Sequence, residues 1–167
     1  MSADSYLVGT QRSIRLAVDA VVQALPASYL VGGQDDARFV IGPTGAFVLL
    51  PGTSPVRALA RDADRLHRLA EVTRNALCDH LTWVPFLDAL VVTAGDLVRS
   101  TEVTVAPLDL LNVVLTEGPE VIDRPTMLAV RAALDAGDLD GWSPIAAVIE
   151  ADARIDLCDP AEATARR

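Results

Sequence analysis

The sequence predicts an α/β fold in which helices flank a small mixed β-sheet with a central hairpin. Three observations lead to this prediction. Two apolar runs surround a Gly-Pro-Thr-Gly turn at residues 42–45, a pattern typical of a tight β-hairpin. Amphipathic helical patterns precede and follow the hairpin, from about Gly9 to Leu25 and from Ser54 to about His80. A further apolar run, Phe86 to Thr93, is typical of a buried central strand.

The elements up to the second helix follow from local signals. The first helix carries apolar residues at helical spacing and ends at Pro26. A short strand is predicted at residues 29–31 and a polar turn at residues 32–36, before the hairpin. Ser54 and Pro55 supply an N-cap hydroxyl and a proline in the first turn, so the second helix begins there.

The rest of the chain reads as shorter elements. We expect a strand at residues 102–105 and helices at residues 108–115 and 125–136, the last with Gly137 as its C-cap. Ser143 and Pro144 predict the start of a final helix that runs to about residue 153. Residues 1–157 are expected to form a single domain, and residues 158–167 a loose tail.

Composition restricts the classes of function. The net charge of −9 argues against non-specific nucleic-acid binding, because phosphates require a basic surface. The hydrophobic fraction of 51% and the mean hydropathy of +0.32 favour a protein partner or a homo-oligomer. Cys78 and Cys158 form no disulfide framework, and the first residues do not resemble a signal peptide. The longest uncharged run is interrupted by prolines and glycines, so we expect a cytoplasmic protein without a membrane span.

The order of elements and the hairpin resemble a known family of nucleases. The hairpin strand reads Val-Ile-Gly-Pro-Thr-Gly-Ala-Phe-Val-Leu at residues 40–49. Over roughly residues 9–116 the chain is similar to the nuclease-related (NERD) domain of the PD-(D/E)xK nuclease superfamily. The resemblance implies a restriction-endonuclease-like core. It also implies metal-assisted hydrolysis, in which carboxylates hold a divalent cation and a lysine helps to activate water.

The residues that would perform that chemistry are missing at the matching positions. Thr10 stands where the family has a glutamate, and Ala37 where it has an aspartate, with Asp36 one residue earlier. The acid-x-lysine positions fall at Leu50 and Gly52. All 14 basic residues of the chain are arginine, so no lysine can be recruited from elsewhere. The resemblance therefore implies the fold and argues against catalysis, and we expect neither a metal nor a cofactor.

Arginines form the best candidate binding surface in the sequence. Arg57, Arg61, Arg65 and Arg68 recur along one face of the second helix. They could bind an anion or an acidic partner, or they could be an ordinary solvated face paired with Asp62 and Asp64 within the helix.

Two further groups of side chains suggest sites but have ordinary explanations. Asp35 and Asp36 could be a residual metal site, although aspartate is also common in polar turns. His67 and His80 are too far apart on one helix to share a metal. A superficial calcium-loop pattern near Gly141 lacks essential acids, because alanine stands at positions 136 and 147.

Three hypotheses for function follow. The leading one is a non-catalytic protein-interaction or regulatory module on a nuclease-like fold. The second is a metal-dependent nuclease with relocated ligands, for which Asp35, Asp36 and Asp88 are the candidates. The third is a nucleic-acid-binding module that no longer cuts, with the arginine face as its surface.

Overall fold

A computed structural model describes residues 3–52, 55–94, 98–99, 104–139 and 141–145, with side chains from residue 12 onward except those of 55–60 and 98–99. The described helices are Ala3–Gln23 (α1), Pro55–Cys78 (α2), Leu111–Thr116 (α3) and Arg124–Ala136 (α4). The described strands are Leu30–Gln34 (β1), Ala37–Gly42 (β2), Gly45–Pro51 (β3), Leu87–Thr93 (β4), Val98–Arg99 (β5), Thr104–Pro107 (β6) and Ser143–Pro144 (β7). A single 3₁₀ turn, Leu108–Leu110, leads into α3.

All the described strands belong to one mixed sheet with the order β5-β6-β4-β3-β2-β1-β7. The pairs β3–β4 and β4–β6 are parallel, and the other pairs are antiparallel. Parallel neighbours need a long crossover connection, and α2 supplies it between β3 and β4. The predicted α/β class, with a mixed sheet and a central hairpin between helices, is confirmed.

The hairpin lies at the centre of the sheet. Its strands pair from Arg38 opposite Leu49 to Gly42 opposite Gly45, so that two residues form the turn. Every residue of β2 is buried, as is every residue of β3 after Gly45. Helices cover both faces, which explains why the two strands are continuously apolar rather than alternating.

Alternate side chains of the hairpin enter two separate cores. Phe39 and Leu50 pack on one face against α2 and α4. Val40 and Leu49 pack on the other face against α1 and α3. The molecule therefore has three layers, helix, sheet and helix, and each position of β2 or β3 faces one helical layer only.

Several predicted boundaries are confirmed. The second helix and the helix ending at residue 136 have nearly the predicted bounds, and Gly137 adopts a left-handed φ of 77° as the predicted C-cap. The apolar run after α2 is β4. Strand β5 was not predicted, and two residues are too few to give a periodic pattern.

Two local predictions were wrong. Gly32–Gln34 belong to β1 rather than to a turn, and the turn is only Asp35 and Asp36, with φ of 52° at Asp35. Ser143 and Pro144 form the short edge strand β7 beside Gly32 and Gly33 instead of starting a helix. Proline is tolerated there because an edge strand does not need every N–H. The predicted continuation of that helix and the predicted tail at residues 158–167 lie outside the described residues.

Candidate functional site

Ala37 and Leu50, where the resemblance to the nuclease family would put metal-binding acids, lie on neighbouring strands. The β2–β3 register pairs Arg38 with Leu49, so that its next step sets Ala37 opposite Leu50. Both side chains belong to the core between the sheet and α2, and they are 0% and 1% exposed. Ala37 and Leu50 therefore lie on neighbouring strands, in the same apolar core.

Gly52 stands at the position where the resemblance to the nuclease family would put the catalytic lysine. Its backbone N–H donates to the carbonyl of Val92, with 2.8 Å between N and O, and so extends the contact between β3 and β4. A Cβ at this position would lie 2.5 Å from Cγ1 of Val91. Any larger side chain must displace Val91, so a lysine does not fit the backbone as it stands.

Asp36 is next in sequence to Ala37, and its carboxylate is bound by an arginine of α2. The Nη1 of Arg65 donates to Oδ2 of Asp36 at 3.0 Å, and Nη2 of Arg65 donates to Oδ1. This bidentate geometry matches the planar fork of a guanidinium to both oxygens of a carboxylate. The side chains of Arg65 and Asp36 are 38% and 22% exposed, so the pair is at the edge of the core rather than within it.

The charge of Arg65 lowers the pKa of the carboxylate that it binds. Partial burial raises the pKa of Asp36, but the hydrogen bond and charge of Arg65 outweigh it and hold the pKa below its ordinary value. Asp62 has a raised pKa because burial outweighs the charges of Arg61 and Arg65. Asp36 thus stays ionised, with its charge already balanced by a guanidinium.

The arginine face of α2 is only partly available for binding. Arg61 and Arg68 are exposed, whereas Arg65 is turned toward Asp36. The side chain of Arg57 lies outside the described residues. Arg65 forms a long-range pair with the β1–β2 turn, which sequence spacing cannot reveal.

Asp88 does not join the two aspartates of the β1–β2 turn. Asp88 lies opposite Phe47, near the start of β3. Asp36 directly precedes β2 and so lies beside the end of β3. The separation along the strand direction is roughly 13 Å, at about 3.3 Å for each residue. Among the described residues, no three histidine, cysteine or acidic side chains are placed to hold a metal ion. Thr10 lies in α1, but its side chain is outside the described set.

Sequence reasoning missed a buried ion pair on the opposite face of the hairpin. Arg38 is 6% exposed, and its Nε and Nη2 donate to the two carboxylate oxygens of Asp19 in α1, at 2.6 and 3.1 Å. Its Nη1 donates to the carbonyls of Ala37 and Asp35. This network fastens α1 to the β1–β2 turn. The available signal was a lone arginine within an otherwise apolar strand.

Sequence reasoning also missed an open groove of about 890 Å³ beside the C-terminal half of α2. Its rim includes Trp83 and Phe86, which are 58% and 80% exposed. The available signal was the segment Trp-Val-Pro-Phe at residues 83–86, since the chain has only two tryptophans and three phenylalanines.

No family model, curated protein or solved structure matches this chain. The function must therefore be argued from the geometry of the molecule itself. Within the described residues, no helix is long and apolar enough to cross a membrane.

Proposed function

We propose that this chain is a non-catalytic protein-interaction or regulatory module on a nuclease-like fold. The observation that carries the proposal is the burial of Ala37 and Leu50 in one apolar core, since these are the positions at which the resemblance would put the metal-binding acids. A divalent cation needs several oxygen ligands in that place. Burial of apolar groups there contributes to the stability of the fold instead of to chemistry.

The surroundings of these two residues support the same proposal. Gly52 leaves no room for a lysine beside Val91. Asp36, the nearest carboxylate in sequence to the family's acid position, has both its oxygens engaged by Arg65. A metal at Asp36 would therefore have to displace the guanidinium of Arg65.

Exposed apolar side chains support a role in binding a protein. Large apolar residues that stay on the surface at appreciable area commonly mark interaction sites. Trp83 and Phe86 stand three residues apart at the rim of the groove. Aromatic side chains of this size are enriched among residues that dominate binding energy at protein interfaces.

A nuclease and metal-binding assay tests the loss of catalysis. We expect no cleavage of plasmid DNA, single-stranded DNA or RNA with Mg²⁺ or Mn²⁺, and no heat of binding on calorimetric titration with either ion. Asp36→Ala serves as the paired variant, with the exposed Asp64→Ala on α2 as its control. Cleavage that persists in Asp64→Ala and disappears in Asp36→Ala would overturn the proposal, because it would show a working site at the carboxylate.

A further inference from the structure

The groove beside α2 combines exposed aromatic surface with a concave wall. The helix contributes His67, Glu71 and Arg74, and the segment before β4 contributes Trp83 and Phe86. An aromatic side chain buries about 150–250 Å² when it is removed from water. Because Trp83 and Phe86 are 58% and 80% exposed, together they offer roughly 300 Å² of apolar area for burial. Their exposure contrasts with Phe39, Phe47 and Trp142, which are all buried.

The charges at the groove indicate the class of partner. Glu71 and Arg74 lie one helical turn apart on the same face of α2, and Asp88 is the other formally charged residue of the lining. The groove is thus close to neutral and carries both signs, in a chain with a net charge of −9. A nucleic acid would need a basic rim, and a strongly basic protein would need an acidic one.

A surface with both signs and a central apolar patch can pair with a second copy of itself. In a two-fold dimer the same patch contributes from both subunits, so an acid on one copy can face a base on the other. Near-neutrality at the contact limits repulsion between two acidic chains, since more distant charges are screened over about 8 Å at physiological ionic strength. The aromatic pair would supply a large part of the roughly 800 Å² per partner that a stable interface buries.

We infer that the groove is the interface of a two-fold homodimer. Trp83 and Phe86 of each copy pack against α2 of the other, and Glu71 of one copy pairs with Arg74 of its partner. The inference rests on the proposed function in that it names the partner of the interaction module.

Oligomeric state is the first test. Size exclusion with light scattering and sedimentation at 1–100 μM should give twice the chain mass of 17.7 kDa. Phe86→Glu and Trp83→Arg should each weaken the dimer at least a hundredfold, with an unchanged far-UV circular dichroism spectrum. Leu128→Glu is the matched control, because Leu128 is 56% exposed on α4, away from the groove lining, and should leave the dimer intact.

Charge reversal tests the pairing. Glu71→Arg alone and Arg74→Glu alone each place like charges across the two-fold axis and should weaken self-association about tenfold. A mixture of the two variants should recover a heterodimer tighter than either homodimer. Equal affinities in the mixture and in the separate variants would overturn the inferred pairing.

Trp83 provides a spectroscopic readout. Its emission should shift to the blue as the protein concentration rises through the dissociation constant, while Trp142 is already buried, and Trp83→Phe should abolish the shift. A monomer at 100 μM, or a dimer indifferent to Phe86→Glu and Trp83→Arg, would overturn the inference. Either result leaves the proposed loss of catalysis standing, because the Asp36-dependent cleavage assay tests that loss separately.

Discussion

The ion pair between Asp36 and Arg65 joins the β1–β2 turn to α2 at the edge of the apolar core. Its bidentate geometry fixes both side chains. A partly exposed pair contributes modestly, because solvent screens the charges and ordering the side chains costs entropy. Its effect here is to place a fixed positive charge beside the carboxylate of Asp36.

The coupling between Asp36 and Arg65 can be measured. A double-mutant cycle with Asp36→Ala and Arg65→Ala, followed by urea unfolding, should give a coupling free energy of about 1 kcal/mol at pH 7. The native pKa of Asp36 is depressed, so this stabilisation is fully present above the unfolded pKa of about 3.9. It should decline as the pH falls further and disappear below the native pKa. A coupling that is independent of pH between 7 and 2 would contradict an ionic pair.

Gly52, directly after β3, lies in close contact with β4. Gly52 continues the hydrogen bonding to β4, and its missing side chain lets Val91 approach. The close approach of β3 and β4 at this point therefore depends on a residue without a side chain. This explains why position 52 is not free to carry a lysine.

Gly52→Ala should destabilise the protein by about 1–3 kcal/mol, because the added methyl group overlaps the Val91 side chain. Val91→Ala should cost on the order of 2 kcal/mol through the cavity it leaves. The double variant should be clearly more stable than the sum of the two single losses predicts, as each change makes room for the other. Additive losses in thermal or urea unfolding would contradict the overlap.

At the scale of the whole molecule, charge separates the remaining hypotheses. The net charge is −9, and one of the arginines predicted to form a basic face is bound to Asp36 instead of facing solvent. Asp62 and Asp64 lie between the other arginines on α2. The described part of α2 therefore lacks the continuous basic track that backbone phosphates require.

We expect no binding of labelled single-stranded or duplex DNA by fluorescence anisotropy at 150 mM salt, to a dissociation constant of roughly 100 μM. The double variant Arg61→Glu with Arg68→Glu should behave as the parent does, and so should Arg124→Glu, an exposed control on α4. Micromolar binding that falls steeply with salt and is lost only in the double variant on α2 would favour the nucleic-acid hypothesis instead.

Much of the fold was predictable because its signals are local. The glycines and proline of the hairpin turn, the apolar spacing of α2 and the αL glycine at position 137 each determine their own element. Predictions failed where a distant partner decides. Gly32 and Gly33 have turn propensity, yet pairing with β2 and β7 makes them a strand.

The candidate site divides in the same way. The sequence by itself determined that Ala37, Leu50 and Gly52 carry no acid or base, since residue type fixes available chemistry. Only the tertiary structure decided that the first two lie in one core, that Arg65 binds Asp36 across 29 residues, and that Trp83 and Phe86 remain exposed. Such contacts depend on which faces of the sheet and of α2 meet, and periodicity within one element does not contain that information.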